Sequence, residues 1–181
     1  MGWPTAPTAA ACSCSEPGAV FFWFIATAVV TIGFVFRDPT FDNRLLIVGS
    51  VVPGFDIVFG GARALHSVTV SIALLALVMI VTKRGSLRRK TLLGLPIGMI
   101  LHLVFDAAWN DTATFWWPFT GLAFDDVGIP IVDRGVVSVV LEAVGIALCV
   151  WLWRTNGLSD ATRRRRFLAD GRLITTPERF G

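Results

Sequence analysis

Charge is scarce in this chain. Asp, Glu, Lys and Arg make up 16% of its 181 residues, against 54% hydrophobic, and the mean hydropathy is +0.68. Soluble domains carry about a quarter charged residues, so the composition excludes an ordinary soluble domain, and the length allows one domain. Cysteine is scarce too. Cys12, Cys14 and Cys149 give no disulfide framework. Cys12-Ser-Cys14 is a bare C-x-C in a small, polar segment and reads as an incidental pair. No apolar stretch precedes it, which argues against a signal peptide there. The sequence also lacks H-E-x-x-H, G-x-S-x-G, a Gly-rich phosphate loop and C-x-x-C. Zincin, serine-hydrolase and nucleotide-hydrolase readings therefore have no support.

What the chain has in quantity is apolar runs. After Met1–Pro17, expected to be a disordered N-terminus, residues 18–153 read as a transmembrane helical domain and 154–181 as an Arg-rich cytoplasmic tail. Ala19–Phe36 is uncharged and about 27 Å long as a helix, close to a hydrocarbon core. Ala62–Thr82, Thr91–Ala108 and Ile131–Trp153 are further spans. Leu45–Phe59 is short and interrupted by Pro53-Gly54, so it is either a short tilted span or re-entrant. The expected fold is an all-α membrane protein, a bundle of four to five transmembrane helices with Leu45–Phe59 broken or re-entrant.

The basic residues set the expected orientation. Of 16 Lys and Arg, 12 lie in Lys83–Lys90 or after Trp153, which places that loop and the C-terminus in the cytoplasm. The loop Trp109–Pro130 carries Asp111, Asp125 and Asp126 without Lys or Arg and faces outward. The expected location is the plasma (inner) membrane, multi-pass. Membrane lipids are the expected partners. The Arg163–Arg166 run reads as attraction to anionic lipid head groups rather than to nucleic acid.

On this topology Asp56, His66, His102 and Asp106 all fall within roughly 10 Å of the outer boundary at 1.5 Å rise per residue. His102 and Asp106 are four apart and share a helix face. An imidazole and a carboxylate so placed chelate one divalent ion, or the Asp orients the His as a general base. His66 and Asp56 complete three or four ligands, and zinc or manganese suits such a set. The competing reading is that these residues hydrogen-bond helices together, with Ser67 and Asp56 as cap residues. Glu142, near the middle of its run, is a third candidate catalytic group, or a partner of His102. Arg134 is a candidate phosphate ligand or a salt-bridging residue. Trp116 and Trp117, within Phe115-Trp116-Trp117-Pro118-Phe119, form an interfacial belt or a substrate-stacking surface.

Pro53 and Asp56, His66-Ser67, His102-x-x-x-Asp106 and Trp117-Pro118-Phe119 together resemble the membrane-bound metal-dependent hydrolase family. Leu92–Gly121 is especially similar to its actinobacterial members, and the resemblance covers roughly Leu45 to Glu142. It implies a small multi-span protein hydrolysing its substrate with a divalent metal. The chain departs from the family pattern at Gly54, where a first Asp is expected, and at Gly61, where a second His is expected. Three functions follow as expectations. The first is a metal-dependent hydrolase acting on lipid head-group esters or phosphoesters at the extracytoplasmic face. The second is a non-catalytic membrane protein that has lost the site, and the third is an ion- or proton-coupled transport subunit built around Glu142 and His102.

Overall fold

The computed structural model describes residues 20–36, 38, 41–59, 64–122 and 136–173. Among the described residues the chain forms seven α-helices: α1 (Phe22–Val35), α2 (Asn43–Val51), α3 (Val68–Val81), α4 (Leu87–Phe105), α5 (Thr112–Phe115), α6 (Val136–Thr155) and α7 (Ala161–Asp170). Short 3-10 segments cover Val52–Phe59, Ala64–His66 and Ala108–Asn110.

Local chemistry fixes most helix starts. The side chains of Asp42, Ser67, Ser86, Asp111 and Asp160 each accept a hydrogen bond from a backbone N–H in the first turn of the helix they precede. Each cap satisfies a donor the helix cannot satisfy itself. α1 begins at Phe21 without such a side chain and is capped instead from α6. The Glu142 carboxylate accepts from the N–H groups of Phe21, Phe22 and Trp23 at 3.2–3.3 Å. Its negative charge sits where the helix dipole is positive. Gly145 permits this approach, since a Cβ there would lie 2.2 Å from the Trp23 nitrogen.

α2 and α4 meet backbone to backbone. A Cβ on Gly49 would lie 2.1 Å from the Leu95 carbonyl oxygen, one on Gly98 2.3 Å from the Leu46 oxygen, and one on Gly94 2.9 Å from the Leu46 nitrogen. Only glycine fits such contacts. Around this seam, Ala28, Val29, Ile32 and Leu46 form the main apolar core, with Ile97, Leu101 and Leu152 packed against it.

The bundle has two chemically different ends. One gathers the starts of α1, α3 and α6 with the C-terminal ends of α2 and α4. The other is basic. There Lys90 reaches Asp38 at 3.4 Å. Arg44 pairs with Asp42 at 2.7 Å, and its guanidinium holds the Asp42 carboxyl below the usual carboxylate range. Arg44 Nη1 also donates to the carbonyls of Leu168 and Ala169, the last turn of α7, where a cation is favoured. α7 therefore docks the Arg-rich tail onto the start of α2, through Asn43 and Gly171 as well.

The expectation of four to five transmembrane helices is overturned. Among the described residues only α6, 20 residues long, is long and apolar enough to cross a membrane. α1 and α3 have 14 residues each, about 21 Å at 1.5 Å per residue and short of a ~30 Å hydrocarbon core. α4 reaches 19 residues but opens on Leu87-Arg88-Arg89-Lys90. The apolar runs overstated helix length because they included caps and turns. Ala62–Thr82 is interrupted by the Ser67 cap, and Leu45–Phe59 passes from α2 into a 3-10 segment at Val52. The described residues form a packed bundle of seven helices with one candidate span, and the expected multi-pass inner-membrane location narrows to one helix that could cross a membrane. Apolar side chains nevertheless lie on the outside, with Ile80, Phe119 and Val136 about 80% exposed. Met1–Pro17, Asp125, Asp126 and Arg134 lie outside the described residues.

The seam makes a contrast between two glycines measurable. Gly98→Ala is expected to destabilise the protein by about 1–3 kcal/mol or more through overpacking. Gly33→Ala, in α1 with nothing within 4 Å of the new Cβ, is expected to stabilise it by roughly 0.5–1 kcal/mol through helix propensity. Thermal unfolding of the two variants beside wild type checks both signs.

Candidate metal centre

Three elements deliver the polar residues at the α2/α4 end. The 3-10 segment Val52–Phe59 carries Asp56, the 3-10 turn Ala64–His66 carries His66, and the end of α4 carries His102, with Asp106 as its C-cap residue. His66 is 1% exposed, His102 3%, Asp56 3% and Asp106 0%. They include both histidines of the chain.

Each histidine is held by its Nδ1. His66 Nδ1 lies 3.0 Å from Asp56 Oδ2, and the His66 backbone N–H donates to the same oxygen at 3.2 Å. His102 Nδ1 lies 2.7 Å from the Ser50 carbonyl oxygen. A carbonyl only accepts, so His102 Nδ1 carries the proton and the Nε2 of that neutral ring presents a lone pair, while the Nδ1 contact of His66 with Asp56 turns its Nε2 toward Asp106. Those Nε2 atoms are buried and have no hydrogen-bond partner. His66 Nε2 is 3.7 Å from Asp106 Oδ2, and the two imidazole rings are 5.4 Å apart at 81°. One ligand atom each from His66, His102 and Asp106 lie within 4.8 Å of one another.

This donor set fits a divalent cation. Two imidazoles and one carboxylate are a three-ligand set found in catalytic zinc sites and in iron sites with open positions. A carboxylate or carbonyl on the far ring nitrogen is the usual means of fixing a ligating histidine. Burial pushes the His102 imidazole down to about 3, so it is neutral and ligand-competent at neutral pH. Phe24 of α1 stacks on the His102 ring at 3.8 Å and walls the cluster on that side.

The buried triad could thus hold a metal. Asp56 sits behind it, on the Nδ1 side of His66. Glu142 is placed apart, in the α1 cap. Trp116 is half exposed, edge-on to Phe115. Trp117 enters through its carbonyl, which accepts from Ser67 Oγ at 2.6 Å. Ser67, next to His66, thereby ties the aromatic turn to the start of α3, for which it is also the N-cap. Arg134 lies outside the described residues.

Two contributors were not foreseen. Ser50 acts through its carbonyl, and the sign of it was Pro53. In the i→i+3 register of a 3-10 segment the Ser50 carbonyl would be paired with the Pro53 nitrogen, which has no hydrogen. Phe24 had no signal in the sequence, because nothing local places α1 against α4.

The His102 environment predicts a pH dependence for metal-free protein. The folded imidazole takes a proton near pH 3 and the unfolded one near 6.5, so between these values the unfolded chain binds more protons. The His102 contribution to stability is full above about 6.5 and is lost as pH falls toward 3. Urea midpoints across that window are expected to fall less steeply for His102→Gln than for wild type, and equal slopes would contradict the assignment.

No family model, no curated protein and no solved structure matches the chain.

Proposed function

We propose that the chain is a metal-dependent hydrolase whose divalent ion, zinc or manganese, is held by His66, His102 and Asp106. The observation that carries this is the pair of buried Nε2 atoms, neither with a hydrogen bond, beside a buried carboxylate. Leaving buried polar atoms in this state costs free energy unless a further group takes them. His66, His102 and Asp106 are also among the motif residues that resemble the membrane-bound metal-dependent hydrolases. Gly54 and Gly61, the departures, remove two carboxylate or imidazole groups and leave three ligands.

A divalent ion held by His66, His102 and Asp106 would supply the Lewis acidity needed for hydrolysis of an ester or phosphoester. The protein's own residues do the positioning. Asp56 fixes the His66 ring through Nδ1. The Ser50 carbonyl does the same for His102, and Phe24 limits solvent at its face. The substrate class is a lipid head-group ester or phosphoester. Support comes from the apolar rim at this end, where Phe22, Phe55, Trp109, Trp116 and Phe119 are exposed and suit an amphiphile. α6, which could cross a membrane, starts at the same end.

A second reading is a structural metal site without chemistry. The near-complete burial of all three ligands favours it, because structural sites are closed while catalytic ones keep a position open.

Metal content by mass spectrometry, followed by a hydrolysis assay, separates the readings. About one zinc or manganese per chain is expected in wild type, lost in His66→Ala and His102→Ala. Asp56→Asn is expected to weaken binding by roughly 10–100-fold. Metal-dependent hydrolysis of a lipid ester or phosphoester, lost with the metal, supports the enzyme. Bound metal without hydrolysis supports the structural site, and no metal after reconstitution overturns both.

A further inference from the structure

The opposite end of the bundle carries a second constellation, independent of the metal cluster. α6 ends at Thr155, the chain turns through Asn156 and Gly157, and α7 starts at Ala161. Between that turn and α7 is an open cleft of about 150 Å³. Arg163, Arg166 and Arg172 line it, together with Asn156, Asp170 and two leucines. The volume has room for more than one solvent-sized group.

The arginines come from two places in the chain's path. Arg163 and Arg166 are three apart and so share a face of α7. Arg172 arrives from beyond Gly171, whose φ of +68° turns the chain back at the end of α7. Gly157, with φ +62°, lets Arg163 fold onto the turn, since a Cβ there would meet its Nη1 at 2.7 Å. Arg163 Nη1 donates to the Asn156 carbonyl at 3.4 Å. Neither Arg166 nor Arg172 makes an ion pair among the described residues. Three guanidinium groups against the single Asp170 carboxylate leave the cleft positive. Asp170 also faces Arg44, on which it acts electrostatically.

Guanidinium groups converging from several directions are suited to phosphate oxygens, which they bind through paired N–H donors. The cleft opens at the foot of α6, the one helix among the described residues long and apolar enough to cross a membrane. Trp151 and Trp153, both exposed, mark that foot as an interfacial position. A ligand whose phosphate enters the cleft can lay its acyl chains along the exposed valines and isoleucine of α6. We propose that this cleft binds the phosphate of an anionic phospholipid head group.

The test uses full-length protein in neutral detergent, with binding followed by tryptophan fluorescence. The probes are short-chain phosphatidylglycerol, short-chain phosphatidylcholine and inorganic phosphate. Phosphatidylglycerol is expected to bind more tightly than phosphatidylcholine. Arg166→Gln and Arg172→Gln are each expected to weaken it about fivefold. Asp170→Asn is expected to tighten it, a gain that a misfolded variant cannot produce, and circular dichroism verifies helix content throughout. Inorganic phosphate binding as tightly as the lipid, with the same arginine dependence, would keep the phosphate site and assign it to free phosphate. Equal affinity for the two lipids, or affinity unchanged in the Arg166/Arg172 double variant, would overturn the proposal.

Discussion

The contact of two bare backbones, α2 against α4, governs the rest. Gly49, Gly94 and Gly98 remove the side-chain layer that normally separates helices, and small residues at a crossing allow that closeness. With the layer gone, a side chain on α4 can reach the main chain of α2. That is why His102 Nδ1 meets the Ser50 carbonyl. The same device recurs at Gly145, where α6 comes close enough for its carboxylate to cap α1. α1 in turn brings Phe24 onto the His102 ring. Glycine therefore does the positioning, and polar groups do the fastening.

The fastening is concentrated inside. Asp56, His66, Ser67, Ser71, His102 and Asp106 are buried, whereas large apolar side chains on α3 and α6 are exposed. Burying polar groups is unfavourable unless each finds a partner. The interior meets much of that demand with directed pairs, Asp56 with His66, Ser50 with His102 and Ser67 with Trp117, and leaves the two histidine Nε2 atoms without a hydrogen bond. Such pairs specify one arrangement more sharply than apolar packing does, because each has its own geometry. The basic end relies on a parallel set, in which Asp42, Arg44 and Asn43 pin α7.

Parts of this were legible in the sequence. The i,i+4 spacing of His102 and Asp106 placed both on one helix face, and both belong to the triad. Ser67 reads as a cap, and Pro53-Gly54 reads as a break. The number of spans was not legible. Hydropathy counts apolar residues whether or not they are helical, so the residues before the Ser67 cap and the 3-10 residues after Val51 were counted as helix. Glu142 was misleading for a related reason. Position along one apolar run does not reveal that α1 begins beside Glu142. The pairing of Asp56 with His66 depends on the path of two 3-10 segments, which have no sequence period as clear as that of an α-helix.

The chain has two histidines, and both rings face the same buried space. Every imidazole resonance in a proton or nitrogen spectrum of this protein therefore originates from one spot. No surface histidine contributes background, and no labelling scheme is needed to tell centre from periphery. For an instrument that detects imidazole, the whole molecule is transparent except at its proposed reactive centre.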